Sequence, residues 1–416
     1  MNSTRLHSKT TELLLETPLA PYVPAFTQYL AEHRYSSHSS ACYVRAIAHF
    51  GRWMRQSGLD IQHIDEEAVR QFLDEHLPCC HCARPVHRTR TDLSAALGHL
   101  LAVLRGEAVI AAPQPEMTPV DEELRRFDNH MNYVRGLAPK TRTLYLRTVR
   151  RLLLEQFGRQ PVVILSIAPE ALRRFIANQR TLYCTSASAA TLLSALRCYF
   201  YFRIACGDPV DGLLGVAAYP AHWQMASLPK GLCRSEVERL VKALGGNYPS
   251  ARRADAMVRC ALDLGMRCGE IASLRLDDID WRAGTLTLRR TKGCRAAILP
   301  LPDATGRAIV DYLMLERPQT TSRAVFVRRI APMDRPLGSD CVRKTIRQAY
   351  GRAGLPYTRS HLLRHTMASR LLEGGSSLKE VADVLRHRSL NTTLIYAKLD
   401  SRNLLAVALP WPGNAL

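Results

Sequence analysis

The 416-residue sequence contains no stretch approaching the roughly 18 consecutive apolar residues of a membrane span, and residues 1–18 lack the basic-then-apolar order of a secretory signal. Both absences lead to the expectation of a cytoplasmic protein with no membrane partner. Negative charge is also scarce: 37 Asp and Glu stand against 57 Lys and Arg, a formal net charge of +20. The twelve cysteines are scattered along a long basic chain and not framed in a short one, which argues for reduced thiols over a disulfide scaffold. What is present is a hydrophobic content of 47%, enough to build a core in each of about two to four domains. With the positive charge, this reads as a folded protein that binds polyanions.

Self-comparison shows a duplicated module, the segment 26–105 resembling the segment 127–206 at an offset of about a hundred residues. Arg34-Tyr35-Ser36-Ser37 aligns with Gly136-Leu137-Ala138-Pro139, each opening a turn-then-helix signal. Glu67-Ala68-Val69-Arg70-Gln71-Phe72-Leu73 aligns with Glu170-Ala171-Leu172-Arg173-Arg174-Phe175-Ile176, and each copy closes on a helical apolar period. The proline-dense segment 111–119 reads as a linker. Past residue 228, Ser235 and Glu238 suggest a capping box for a helix that Gly245-Gly246 ends.

The last domain mixes its periods. Residues 252–264 are helical, 285–290 and 296–300 are strand-like with Gly293 in the turn between, and helices recur at 303–315, 340–353, 360–373, 378–385 and 390–399. The expected class is mainly α with a small β-sheet, and six segments follow: a flexible N-terminus 1–20, a helical module 21–110, the linker 111–119, a second helical module 120–218, an α+β domain 228–400 and a tail 401–416. The tail carries Leu404, Leu405, Val407, Leu409 and Trp411, apolar enough to dock on its own domain or on a neighbouring protomer.

Chemistry concentrates in the last domain. Arg267 lies between the end of one helix and the start of the next, beside free backbone amides, a good seat for phosphate. Glu270 could orient it, although taken alone the pair reads more readily as a surface salt bridge. His361 and Arg364 lie three apart on a helix, on one face, whereas His365 reads as a hydrogen-bonded core histidine. Lys292 projects from the hairpin tip, where a lysine with a lowered pKa can protonate a leaving alkoxide and where most lysines are simply solvated. Tyr396 follows His387 by nine residues. A tyrosine hydroxyl, with a pKa of about 10, is a poor nucleophile unless cations and a proton acceptor surround it.

Arg267, Lys292, His361, Arg364, His387 and Tyr396, in that order and spacing, resemble the tyrosine recombinase (phage integrase) family over roughly 228–400. The two helical modules resemble that family's core-binding domains. The resemblance implies that Tyr396 attacks the scissile phosphate to give a 3′-phosphotyrosyl link and a free 5′-hydroxyl, while Arg267 and Arg364 hold the non-bridging oxygens. It further implies that His361 assists removal of the tyrosine proton, Lys292 protonates the departing 5′ oxygen and His387 hydrogen-bonds a phosphate oxygen. The bond energy is retained in the intermediate, so no metal or other cofactor is expected in the reaction. Where the family commonly has glycine, Arg386 stands before His387, at some backbone cost.

The expected activity is site-specific recombination of double-stranded DNA by a homo- or hetero-tetramer on synapsed duplexes, the doubled module pointing to integration or transposition of a mobile element. The alternatives are relaxation of DNA in the manner of a type IB topoisomerase, and a catalytically inactive DNA-binding regulator. Arg45, Arg52, Arg88, Arg90, Lys140, Arg142, Arg147, Arg150 and Arg151 give the two modules basic faces suited to backbone phosphates. In the first module, His76, Cys79, Cys82 and His87 could supply four zinc ligands or form a helix-terminal turn with reduced thiols, the interval from Cys82 to His87 being short for a finger. The second copy lacks this insertion.

Overall fold

The computed structural model describes residues 8–82, 86–112, 117–182, 186–219, 230–289, 296–331, 336–386 and 393–399. Among them the chain divides into two compact units, Met1–Ala112 with Ser227–Leu416, and Pro113–Ala226. Helix dominates and one small sheet is present, the class the mixed periodicity predicts.

The first module holds α1 (Ser8–Leu15), α2 (Val23–Glu32), α3 (Ser37–Ser57), α4 (Glu66–Gln71) and α5 (Arg90–Gly106). Within the N-terminal segment expected to be flexible, α1 forms, and Leu14 and Leu19 enter the core. Ser36 caps α3 by accepting from the Ser39 amide at 3.1 Å, and Gly58 closes it at φ 65°, a left-handed position that costs glycine little. The buried rings of Phe26, Phe50 and Phe72 fill the interior, Phe50 and Phe72 meeting edge to face with centroids 5.2 Å apart. From Phe72 to His76, α4 widens into a π-helical turn, which redirects the side chains at its end.

The second unit repeats this order: α6 (Pro119–Asn129), α7 (Pro139–Phe157), α8 (Pro169–Leu182) and α9 (Ser186–Ala205), followed by α10 (Asp211–Val216). Thr118 opens α6 through a capping box, its hydroxyl accepting from the Asp121 amide at 3.1 Å. The core is Leu- and Phe-rich and contains one buried carboxylate, Glu123, which accepts from Tyr199 at 2.8 Å and Arg203 at 3.0 Å. Those partners are what make its burial tolerable.

The C-terminal part contains α11 (Arg234–Leu244), α12 (Ala251–Leu262), α13 (Cys268–Ser273), β1 (Ile279–Asp280), β2 (Thr285–Leu288), β3 (Ala297–Pro300), α14 (Asp303–Leu315), α15 (Ser339–Arg352), α16 (His361–Glu373), α17 (Leu378–Val384) and a 3-10 turn Leu394–Leu399. The expected capping box on Ser235 and Glu238 is corrected: α11 starts at Arg234, so Glu236 holds the third position and accepts from the Cys233 amide at 2.9 Å. α12 is the central helix, with Ala256, Met257, Val258, Cys260 and Ala261 buried, and packs against α14, α15 and α16. The sheet is antiparallel in the order β1-β2-β3, Leu286 pairing with Ile279 on one side and Leu299 on the other. Leu299 is buried and Ile298 exposed, as pleating requires. The hairpin tip with Lys292, the segment with His387 and the tail 401–416 lie outside the described residues.

Candidate active site

After α12 the chain turns sharply at Gly265, φ 56°. An added Cβ there would lie 3.1 Å from Leu385 Cδ2 and 3.3 Å from Met367 Sδ, so both conformation and space favour glycine. Two residues later Arg267 is the extended N-cap of α13. Its amide donates to Glu270 Oε2 at 2.9 Å and its guanidinium to Oε1 at 2.7 Å. The Glu270 side chain is only 4% exposed, which makes this a structural pair and not a surface one.

Arg386 follows the end of α17 at φ 55°, the left-handed region where an arginine is strained. Its Nη2 donates to Glu270 Oε2 at 2.9 Å and to the Gly265 carbonyl at 3.3 Å. From α16, Arg364 sends its two terminal nitrogens to the carbonyls of Gly265 and Leu385, clamping the α12–α13 turn to the end of α17. Two guanidinium groups, those of Arg267 and Arg386, therefore share one buried carboxylate, and the charge of a third, Arg364, lies close to it. The Arg364 pKa is brought down to about 9 by burial, then by the positive charges of Arg267 and Arg386. Burial acts on the Glu270 carboxyl in the opposite direction, but the charges and hydrogen bonds of Arg386 and Arg267 outweigh it and hold the pKa below the usual range.

Tyr396 sits in the 3-10 turn, packed on Ala368, Val381 and Leu385, and is 1% exposed. Its hydroxyl lies 2.6 Å from His365 Nδ1. Burial pushes the phenol up to about 12 despite the neighbouring positive charge of Arg364. Burial lowers the His365 pKa, as do the charges of His361 and Arg364, so the ring is neutral near pH 7. In the tautomer protonated at Nε2, the phenol donates to Nδ1. His361, first in α16, is exposed to solvent.

Of the six residues singled out in sequence, the fold gathers Arg267, Arg364 and Tyr396, places His361 on the same helix as Arg364, and leaves Lys292 and His387 outside the described residues. Two further residues belong to the cluster. His365, which in sequence reads as a hydrogen-bonded core histidine, finds its partner in the Tyr396 hydroxyl, and its place one residue after Arg364 on α16 is the sequence signal for it. Arg386, in sequence a departure from the family's glycine, pairs with Glu270.

The profile described as Phage integrase family matches residues 230–402, and the profile described as Phage integrase, N-terminal SAM-like domain matches twice, at 23–78 and 124–207. The chain belongs to the phage integrase family, and with it to the tyrosine-type site-specific recombinases. It is 33% identical over 406 residues to y4rA of Sinorhizobium fredii, named there as a candidate integrase/recombinase, covering 96% of each chain. It is 30% identical over 311 residues to the tyrosine recombinase XerD of Mycobacterium tuberculosis, covering 70% of this chain and 96% of XerD. A crystal structure of a lambda integrase dimer bound to a COC′ core site shares the fold, with 18% identity, a TM-score of 0.50, and coverage of 71% of this chain and 96% of that one.

Proposed function

We propose that this recombinase integrates or transposes a mobile DNA element, with Tyr396 as nucleophile and Arg267 and Arg364 as the phosphate clamp. The observation that carries the assignment is the cluster of Arg267, Arg364 and Arg386 around the single carboxylate of Glu270, beside the hydroxyl pair of Tyr396 and His365. Such a cluster holds excess positive charge that a phosphodiester would neutralise, and the gain grows as charge accumulates on the phosphate in the transition state. Support for the mobile-element reading comes from y4rA, which aligns along nearly the whole chain, and from the doubled SAM-like match, where XerD accounts for only 70% of the sequence.

In this reading the Tyr396 oxygen attacks phosphorus, its proton passing toward His365 with the assistance of His361, and the 5′ oxygen departs with a proton from Lys292. A 3′-phosphotyrosyl link forms as the phosphodiester bond breaks, and a 5′-hydroxyl of another strand reverses the step. His387 would hydrogen-bond a phosphate oxygen. Because the phenol is buried and its pKa raised, DNA binding has to bring it out to the phosphate. The assembly is a tetramer on two synapsed duplexes in the cytoplasm, of this chain alone or with related recombinases. Residues 21–110 and 120–218 act as DNA-clamping modules joined by the linker 111–119, and 228–400 is the catalytic domain.

The test is a duplex nicked beside the cleavage position, so that the released fragment diffuses away and the covalent adduct accumulates. Wild type should give an adduct that survives denaturant, Tyr396→Phe none, and Arg267→Ala or Arg364→Ala at least about 10²-fold less. Equal adduct in both arginine variants would sink the assignment. Relaxation of supercoils without strand exchange between two marked duplexes would favour a topoisomerase-like activity instead.

A further inference from the structure

The first module contains a cluster that DNA cleavage does not use. Sequence spacing grouped His76, Cys79, Cys82 and His87, but folding brings a different quartet together: His49, His76, Cys80 and Cys82, whose ligand atoms all lie within 4.8 Å of one another. His49 comes from the middle of α3, 27 residues before His76. The π-helical turn that ends α4 delivers His76, a 3-10 turn Leu77–Cys79 follows, and Cys80 and Cys82 beyond it lie against His49 and His76. Cys79 points back along its own turn, its thiol donating to the Glu75 carbonyl at 3.0 Å. The His87 ring is engaged by Asp92 at 2.9 Å, and His87 contributes its backbone carbonyl, 2.9 Å from His49 Nδ1.

That last contact fixes a tautomer. A carbonyl only accepts, so His49 Nδ1 carries the proton and Nε2 presents a lone pair. This Nε2 lies 3.4 Å from His76 Nε2 and 3.2 Å from Cys80 Sγ, and Cys82 Sγ lies 3.7 Å from His76 Nε2. Zinc bonds of about 2.3 Å to sulfur and about 2.0–2.1 Å to nitrogen imply tetrahedral edges of about 3.3 Å between nitrogens and about 3.6 Å between nitrogen and sulfur. The observed separations bracket those edges.

We propose that His49, His76, Cys80 and Cys82 bind one structural zinc ion that ties α3 to the connection between α4 and α5. Four protein ligands of mixed nitrogen and sulfur type, with no position left open, fit zinc in a structural role. Binding releases one proton from each thiol, and the two thiolates balance the charge of Zn²⁺. In the second unit α8 ends at Leu182 and α9 begins at Ser186, and its sequence lacks the Cys/His insertion.

The experiment measures metal content of the full chain after incubation with Zn²⁺ under reducing conditions and gel filtration. Wild type should hold one zinc per chain, and Co²⁺ in its place should give the intense absorption of tetrahedral cobalt with a sulfur-to-cobalt charge-transfer band. Cys80→Ser and His49→Ala should lose the ion, while Cys79→Ser and His87→Ala should keep it. A wild-type chain without zinc, a six-coordinate cobalt spectrum, or loss that follows Cys79 or His87 would each overturn the assignment. Should His49→Ala fail to fold, the cobalt spectrum of wild type and the retention of zinc by Cys79→Ser still decide it.

Discussion

Arg386 holds the sharpest local conflict in the site. A left-handed conformation costs a non-glycine residue about 1–2 kcal/mol, yet its guanidinium closes a buried pair with Glu270, and breaking such a pair costs about 3–5 kcal/mol. The pair therefore wins over the strain, which is why arginine is tolerated where a glycine would relax the turn. Arg386→Gly should destabilise by about 2–3 kcal/mol and Arg386→Ala by about 1 kcal/mol more, since alanine keeps the strain and loses the pair. Urea unfolding of the three proteins checks this, and a glycine variant as stable as wild type would contradict it.

The titrations at this scale have definite signs. Glu270 has a folded pKa below its unfolded value, so its contribution is fully present above about pH 4.3 and is lost as pH falls. The stability advantage of wild type over Glu270→Gln should thus shrink steadily on acidification in parallel melts. His365 also has a lowered folded pKa, so its neutral, proton-accepting form is present above about pH 6.5 and is lost as pH falls through the folded value. Single-turnover adduct formation should decline with acid along that titration, and His365→Ala should be slower by about 10²-fold and lose that limb of the profile. An unchanged profile in His365→Ala would show that the ring handles no proton.

Among the elements, the α12–α13 turn is the joint of the site. The Gly265 carbonyl receives both Arg364 and Arg386, so the turn positions two cations at once. Gly58, at the end of α3, has a similar φ of 65° but nothing within 4 Å of an added Cβ. Gly58→Ala should cost about 1 kcal/mol, the ordinary price of a left-handed alanine. Gly265→Ala adds the collision with Leu385 and Met367, so it should cost more and also lower adduct yield. Equal losses in the two variants, by thermal melting and adduct assay, would argue against this joint. Hairpin and helix periods had marked most elements to within a residue or two, because each buries one face. The start of α11 was displaced because Ser235 and Glu238 have capping composition, while the register of packing starts the helix one residue before Ser235 and so makes Glu236 the capping carboxylate.

For the whole molecule, a net charge of +20 makes duplex binding depend on release of counterions. With the nucleophile removed in Tyr396→Phe, affinity for its DNA should fall by about 10³–10⁵ between 50 and 200 mM salt if roughly 6–10 phosphates are contacted. Fluorescence anisotropy across that range tests it, and an affinity indifferent to salt would point to contacts other than phosphate.

Sequence alone determined the quantities that are local or additive: the charge, the duplicated helical order, the sheet inserted among helices, and the one-face spacing of His361 and Arg364. It also determined the ordered set of residues that carries the family resemblance. Tertiary structure decided which groups meet across long separations. Arg386 finds Glu270 across 116 residues, Tyr396 finds His365 across 31, and His49 and Cys80 join His76 and Cys82 in place of Cys79 and His87, which sequence spacing favours. Periodicity reports which face of an element is buried, whereas the partner on that face is set by how separate elements pack, and a single sequence does not encode that packing in its local pattern.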